Sequence, residues 1–227
     1  MSAGMQSELL RRPRALARNT GIYLVTDAAQ CGDRGVAAVA AAAVGVRTVQ
    51  VREKHASAAE FYAQVLAVAH AVGDRALVLV DDRVDIYLAA RAAGARVHGV
   101  HVGQSDLPAA SVRSLVGPGA VVGLTANTPA HLDSVRDLAP GTVDYLGAGV
   151  IHPTSTKPDH PAPLGVDGFR SFASAAPVPC VAIGGIGLSD IRDLRAAGAS
   201  GAAVVSAICT AADPRRSAEE LVAAWES

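Results

Sequence analysis

Eight short runs of mostly apolar, often β-branched residues punctuate this chain, at 22–27, 47–54, 76–82, 99–103, 121–127, 144–150, 179–186 and 201–208. Most are continuous rather than alternating. A continuous apolar run is what a strand buried on both faces requires, and such strands belong to parallel sheets covered by helices. The stretches between them are rich in alanine and carry helix signals. Ser57 followed by Glu60 is a capping box opening a helix that runs towards Gly73. Further helices are expected from Arg83 to a stop at Gly94, from a Ser189 cap to a stop at Gly198, and over 213–225.

Eight strand–helix units can close into a (β/α)8 TIM barrel, an α/β fold that leaves no sheet edge open. An open doubly wound sheet is the competing arrangement. It would carry a glycine-rich dinucleotide turn after its first strand, and Val25-Thr26-Asp27 offers none. With 227 residues, the chain suits a single barrel domain over 21–227 behind a flexible, solvated leader over 1–20. The one long irregular stretch, 152–165, follows strand six, and loops at the C-terminal ends of barrel strands carry function.

Several function classes are disfavoured at once. A formal net charge of −1 gives no general attraction to nucleic acid or membrane, and an aromatic content of 4% supplies no stacking platform for single strands. No apolar run is long enough to span a bilayer, and the N-terminal residues lack the apolar segment of a signal peptide. A cytoplasmic protein is expected, free to form homo-oligomers. Cys31, Cys180 and Cys209 are far apart with no paired spacing, so they read as small buried hydrophobes.

Chemistry is sought where charge interrupts the apolar runs, because side chains at strand C-termini converge on one mouth. Strand two ends Gln50-Val51-Arg52-Glu53-Lys54. Its period of two puts Gln50, Arg52 and Lys54 on one face, an amide, a guanidinium and an ammonium suited to an anion. Strand three ends Val80-Asp81-Asp82, and strand four leads into Gly103-Gln104-Ser105-Asp106. These carboxylates either cap helices or meet cations, and beside a phosphate-binding set they suit Mg2+. Across the barrel, Gly184-Gly185 after strand seven and Val205-Ser206 after strand eight form a second, uncharged phosphate site. The strand-six loop adds Thr154, Ser155, Thr156 and Lys157. His98 and His101 have no third ligand at suitable spacing for zinc.

Together, Gln50–Lys54, Asp81-Asp82-Arg83, Gly99–Asp106, Gly147–Thr156 with Lys157 and Asp159, Ile183–Ile186 and Val205-Ser206 resemble the signature blocks of the thiamine phosphate synthases, in family order. The resemblance implies a TIM-barrel transferase for small-molecule substrates. Such enzymes join 4-amino-2-methyl-5-hydroxymethylpyrimidine diphosphate to a thiazole phosphate, or its 2-carboxy form, and release thiamine monophosphate and pyrophosphate. It implies that Gln50, Val51, Arg52, Glu53, Lys54, Asp81, Thr125 and Lys157 bind the pyrimidine substrate, with Arg52, Lys54 and Lys157 catalytic. Thr154, Ser155, Thr156, Gly185, Val205 and Ser206 would bind the thiazole phosphate, and Asp82 and Asp106 would hold Mg2+. The chain departs from the family pattern at Asp81, often Asn, at Thr125, often Ser, at Asn127, often His, and at Val150, often Pro. Two rival readings are a barrel that only tautomerises the thiazole phosphate and a non-catalytic phosphate sensor. Either could dispense with the full diphosphate and metal set that this chain retains.

Overall fold

Each apolar run becomes a strand. A computed structural model describes residues 19–154 and 162–227. Its strands are β1 Gly21–Val25, β2 Thr48–Val51, β3 Leu77–Asp81, β4 Gly99–Val102, β5 Val121–Thr125, β6 Tyr145–Gly149, β7 Cys180–Ile183 and β8 Gly201–Val204. All pair in parallel with their sequence neighbours, and β8 returns to β1, which closes the barrel. All eight expected runs extend beyond their strands at the C-terminal end, five of them by two or more residues. Several of those residues, Arg52, Lys54, Asn127 and Gly184 to Ile186 among them, line the mouth instead of continuing the ladder. Ser206 is the clearest correction, because it opens a helical turn, Ser206–Cys209, in place of extending β8.

The main helices are α1 Val36–Ala42, α2 Ala58–Val72, α3 Val84–Ala92, α4 Ala109–Val116, α5 Pro129–Arg136, α6 Gly165–Ala175, α7 Ile191–Ala196 and α8 Pro214–Glu226. The Ser57–Glu60 capping box forms in full at the start of α2, and Asp213 caps α8. The expected Ser189 cap does not form. Asp190 takes that region over, its carboxylate accepting from the Gly187 N–H at 2.8 Å, and α7 starts one residue later. The expected leader lies almost wholly at 1–18, outside the described residues.

Alternation along each strand divides the core in two. Ile22, Leu24, Val49, Val51, Val78 and Val80 face outward and pack with Phe61, Val65, Tyr87 and Phe169 of the helices. Tyr23, Val25, Leu77, Leu79, Tyr145 and Val181 face inward and fill the barrel. Each buried side chain of this size contributes about 1.5–3 kcal/mol, so the large outer layer is the main source of stability. The three cysteines are buried, as expected. Among the described residues, no helix is long and apolar enough to cross a membrane.

The floor of the barrel is held by one buried ion pair. Asp144, 8% exposed just before β6, accepts from Arg113 Nη2 of α4 at 2.6 Å and from the Val122 N–H of β5 at 2.9 Å. Arg113 also donates to the carbonyls of Gly117, Ala120 and Thr142. Removing one partner of such a pair leaves the other uncompensated. Asp144→Ala is expected to lower stability by about 3–5 kcal/mol. Urea unfolding monitored by circular dichroism would show it as a lower midpoint at unchanged slope.

Candidate active site

The polar residues that follow the strands meet in one cavity of about 710 Å3 at the C-terminal mouth. β2 supplies Gln50 and its extension Arg52 and Lys54, β3 supplies Asp81 and Asp82, and the loop after β4 supplies Gly103 to Asp106. Thr125, Asn127 and His131 line the next sector. Gly149, Val150 and Thr154 follow, and Ile183 to Ile186 with Val204 to Ser206 complete the ring.

The first sector is an ion-pair network. Lys54 Nζ pairs with the carboxylates of both Asp82 and Asp81, the latter at 3.2 Å. Arg52 Nη1 reaches Asp27 Oδ2 at 3.2 Å, its Nε lies 3.8 Å from Asp81 Oδ2, and its N–H donates to Thr26 Oγ1 at 3.1 Å. Neither Asp81 nor Asp82 caps a helix. The residue at that position before α3 is Arg83, and its side chain makes no capping bond. Asp106 Oδ2 accepts from the Gly103 N–H at 2.7 Å, which folds the loop after β4 back on itself. For Asp81 and Asp82 the helix-capping alternative is therefore set aside, since both carboxylates meet Lys54, whereas Asp106 meets a backbone N–H.

Acidic groups outnumber the cations here, and their protonation reflects it. Burial, then the charge of Asp81, pushes the Asp82 carboxyl up to about 6, and Lys54 offsets only part of this. Burial likewise raises Asp81 against the pull of Lys54 and Arg52. Burial draws the Lys54 ammonium down, but Asp81 and Asp82 more than compensate and hold it above its usual range. Asp82 also sits at φ 56°, the left-handed region that Asp tolerates better than most side chains. Backbone strain of that kind persists where a site over-determines it.

The opposite sector is uncharged. Gly184 and Gly185 have φ of 97° and 68°, a turn that side chains would strain. A β-carbon on Gly185 would come within 2.8 Å of His152, so the turn lies directly against the start of the strand-six loop. That contact is reinforced by His152 Nε2, 3.0 Å from Asp190 Oδ1. The loop closes on itself at its base, where the Leu164 and Gly165 N–H groups donate to the carbonyls of Val150 and Ile151.

Of the expected site residues, Gln50, Arg52, Lys54, Asp81, Asp82, Asp106, Thr125, Thr154, Gly185, Val205 and Ser206 all line this mouth. The side chains of Val51 and Glu53 do not. Val51 is buried among the outward-facing residues, and the Glu53 carboxylate accepts from the His55 N–H at 2.9 Å. This is the other face that the period of two assigned them. Ser155, Thr156 and Lys157 lie outside the described residues. Three contributors lie outside the set of residues expected to bind. Asp27, which pins Arg52, follows an apolar strand as the noticed aspartates do. His101 points into the barrel, where its ring is hydrogen-bonded to Tyr145 and Thr125. Asn127 holds the Gly149 carbonyl at 3.2 Å and donates its N–H to His131 Nδ1 at 3.3 Å.

Comparison with known proteins gives a consistent match. The family model described as thiamine monophosphate synthase matches residues 22–208. The thiamine-phosphate synthase of Corynebacterium efficiens is 47% identical over 182 residues, 80% of this chain and 84% of that protein. That of a Psychrobacter species is 39% identical over 204 residues, 89% and 93% of the two chains. Among solved structures, the thiamine phosphate pyrophosphorylase of Pyrococcus furiosus superposes with a TM-score of 0.78 at 29% identity, covering 93% of this chain and 98% of that one. A 3-hexulose-6-phosphate synthase, at 21% identity and a TM-score of 0.64, shares the fold.

The crowding of Asp82 has a measurable consequence. Its raised value favours the folded state while the group is protonated, below about pH 4, and that advantage is lost as pH rises through about 6. Asp82→Asn is expected to match the native protein in stability near pH 4 and to exceed it near pH 8, by on the order of 2 kcal/mol. Thermal unfolding at the two pH values checks this, and equal stability at pH 8 would refute the crowding.

Proposed function

Because the chain belongs to the thiamine monophosphate synthase family, we propose that it joins 4-amino-2-methyl-5-hydroxymethylpyrimidine diphosphate to a thiazole phosphate and releases pyrophosphate and thiamine monophosphate. The observation that carries this reading is one cavity with two unlike anion-holding ends. Arg52 and Lys54 stand among carboxylates at one end, and the Gly184-Gly185 turn with Val205 and Ser206 stands at the other. The more highly charged diphosphate belongs at the end that holds Arg52 and Lys54, where Mg2+ would offset the surplus of carboxylates, and the monophosphate belongs against the main chain of the uncharged one.

The carboxylates suit Mg2+. Asp82 and Asp106 offer hard oxygens in one sector of the mouth. Among the described residues, no group of three or more His, Cys, Asp or Glu side chains is arranged to hold an ion alone. Mg2+ asks for no more than one or two carboxylates, with substrate oxygens and water filling its shell. Bound there, it would stabilise the charge that accumulates on the departing diphosphate.

The protein's own residues then have positional and electrostatic tasks. Lys54, now shared between Asp81 and Asp82, and Arg52, anchored by Asp27, would turn their donors to the diphosphate oxygens. The methylene carbon–oxygen bond breaks and its electron pair leaves with the diphosphate. The resulting cation is stabilised through the ring by the 4-amino group, and the thiazole nitrogen lone pair forms the new carbon–nitrogen bond. That nitrogen is already a neutral nucleophile, so bond formation needs no general base. Catalysis rests on holding the two substrates in line and on donors placed where charge develops.

Purified protein mixed with both substrates and MgCl2 is expected to yield thiamine monophosphate, read as fluorescent thiochrome after oxidation, and chelator is expected to abolish it. Absence of product while both substrates bind would favour the tautomerase or sensor reading. Lys157→Ala is expected to lower turnover at least tenfold, about 1.4 kcal/mol of transition-state stabilisation. An unchanged rate would remove Lys157 from the catalytic set.

A further inference from the structure

Five polar groups from five different strands are strung across the inside of the barrel. Gln50 Nε2 of β2 donates to Tyr23 Oη of β1 at 2.8 Å. Tyr23 Oη lies 2.9 Å from Tyr145 Oη of β6, Tyr145 Oη lies 2.9 Å from His101 Nδ1 of β4, and His101 Nε2 lies 3.0 Å from Thr125 Oγ1 of β5. Tyr23, Tyr145 and Gln50 are 2%, 1% and 4% exposed, so these groups have no ready exchange with water. The sequence makes room for them. A β-carbon on Gly123 would fall 2.4 Å from Tyr145 Oη and 2.5 Å from His101 Nδ1, and one on Gly147 would fall 3.0 Å from His101 Cε1. Two inward positions are thus kept empty for one imidazole and one phenol.

Counting hydrogens gives the chain a direction. An amide nitrogen only donates, so Tyr23 Oη accepts from Gln50. Burial raises both tyrosine hydroxyls well above their usual range, so each carries one hydrogen. The hydrogen of Tyr23 goes to Tyr145, and that of Tyr145 goes to His101 Nδ1. Any other assignment places two hydrogens in one contact or leaves a buried hydroxyl without an acceptor, which costs about 1–3 kcal/mol. Nδ1 is then an acceptor, and a neutral imidazole carries its hydrogen on Nε2, facing Thr125.

We propose that this one-way chain fixes His101 as the Nε2–H tautomer and presents the Thr125 hydroxyl to the substrate as a hydrogen-bond donor. Thr125 Oγ1 accepts from His101 and lines the mouth, so its own hydrogen is directed into the cavity. Asp81, an inward residue of β3 on the other side of His101, lines the same mouth as an acceptor. An acceptor beside a donor matches the edge of a 4-aminopyrimidine, where an amino group adjoins an unprotonated ring nitrogen. His101, Tyr145, Tyr23 and Gln50 are in this view positioning residues for Thr125. The assignment of a pyrimidine to that edge rests on the proposed function, whereas the tautomer does not.

The test has two arms. In the first, the substrate-free protein is labelled with 15N in its histidine rings, and two-bond nitrogen–proton spectra are recorded. The His101 signals are identified by their loss in His101→Gln or, where that variant does not fold, by replacing the other histidines one at a time. A pyridine-type Nδ1 and a pyrrole-type Nε2 are expected, and a hydrogen on Nδ1 overturns the proposal. In the second arm, Tyr145→Phe removes the donor to Nδ1, which lets the imidazole hydrogen move there and Thr125 turn its own hydrogen back to Nε2. The KM for the pyrimidine diphosphate is expected to rise about fivefold, the ratio carried by one hydrogen bond, with the KM for the thiazole phosphate little changed. An equal rise in both, or in neither, overturns the role given to Thr125. A spectrum showing Nε2–H in a protein that fails to make thiamine monophosphate would leave the chain standing and remove the substrate.

Discussion

Closing eight parallel strands turns every second strand residue into a space that water does not enter freely, and this constraint governs the rest of the molecule. An inward polar group must be satisfied by another strand or by a ligand. Near the floor the interior is mostly apolar side chains and paired hydroxyls, with the buried Thr48 Oγ1 an exception that no described residue satisfies. At the mouth both solutions coexist. Gln50 is satisfied by Tyr23, while Arg52 and Lys54, two and four residues further along, are satisfied by carboxylates that a diphosphate can replace. Depth in the barrel therefore separates residues that hold structure from residues that exchange partners.

The same constraint explains what could be read from sequence. A period of two is local, so Gln50, Arg52 and Lys54 were assignable to one face, and Val51 and Glu53 to the other, from five consecutive residues. Aspartates after apolar strands were visible as charges in an improbable place. Asp27 obeys the same rule, standing just after the apolar residues of β1. The interior chain was beyond such reasoning. Tyr23 and Tyr145 are 122 positions apart, and only the closed register brings their hydroxyls together. Gly123 and Gly147 look like ordinary strand glycines until the ring they accommodate is known.

The carboxylate-rich sector sets function against stability. Burial, with the charges of Asp81 and Asp106 beside it, holds Asp82 well above its ordinary value, a cost the fold carries at neutral pH. The outward core is large enough to support it, with aromatic and aliphatic side chains buried along most of the strand–helix contacts. Neutralising Asp82 would ease the crowding and remove an oxygen that a hard cation needs. Sites that must receive charge are commonly poised in this unsatisfied state, because interactions completed before the ligand arrives cannot be gained on binding.

The two ends of the mouth also differ in how they can fail. Cationic side chains hold an anion by charge and adapt to its position, so losing one weakens binding in a graded way. A glycine turn holds a phosphate by the placement of main-chain N–H groups, and that placement depends on neighbours. Gly185 lies against His152, His152 is fixed by Asp190, and Asp190 also accepts from Gly187. Asp190 thus links the strand-six loop to the turn after β7 through two different oxygens. Any change in the position of that loop is transmitted to the glycine turn through packing and one imidazole. In the proposed reaction the loop bearing Thr154 would then be coupled mechanically to the monophosphate site, and through Lys157 the same loop would also serve the diphosphate.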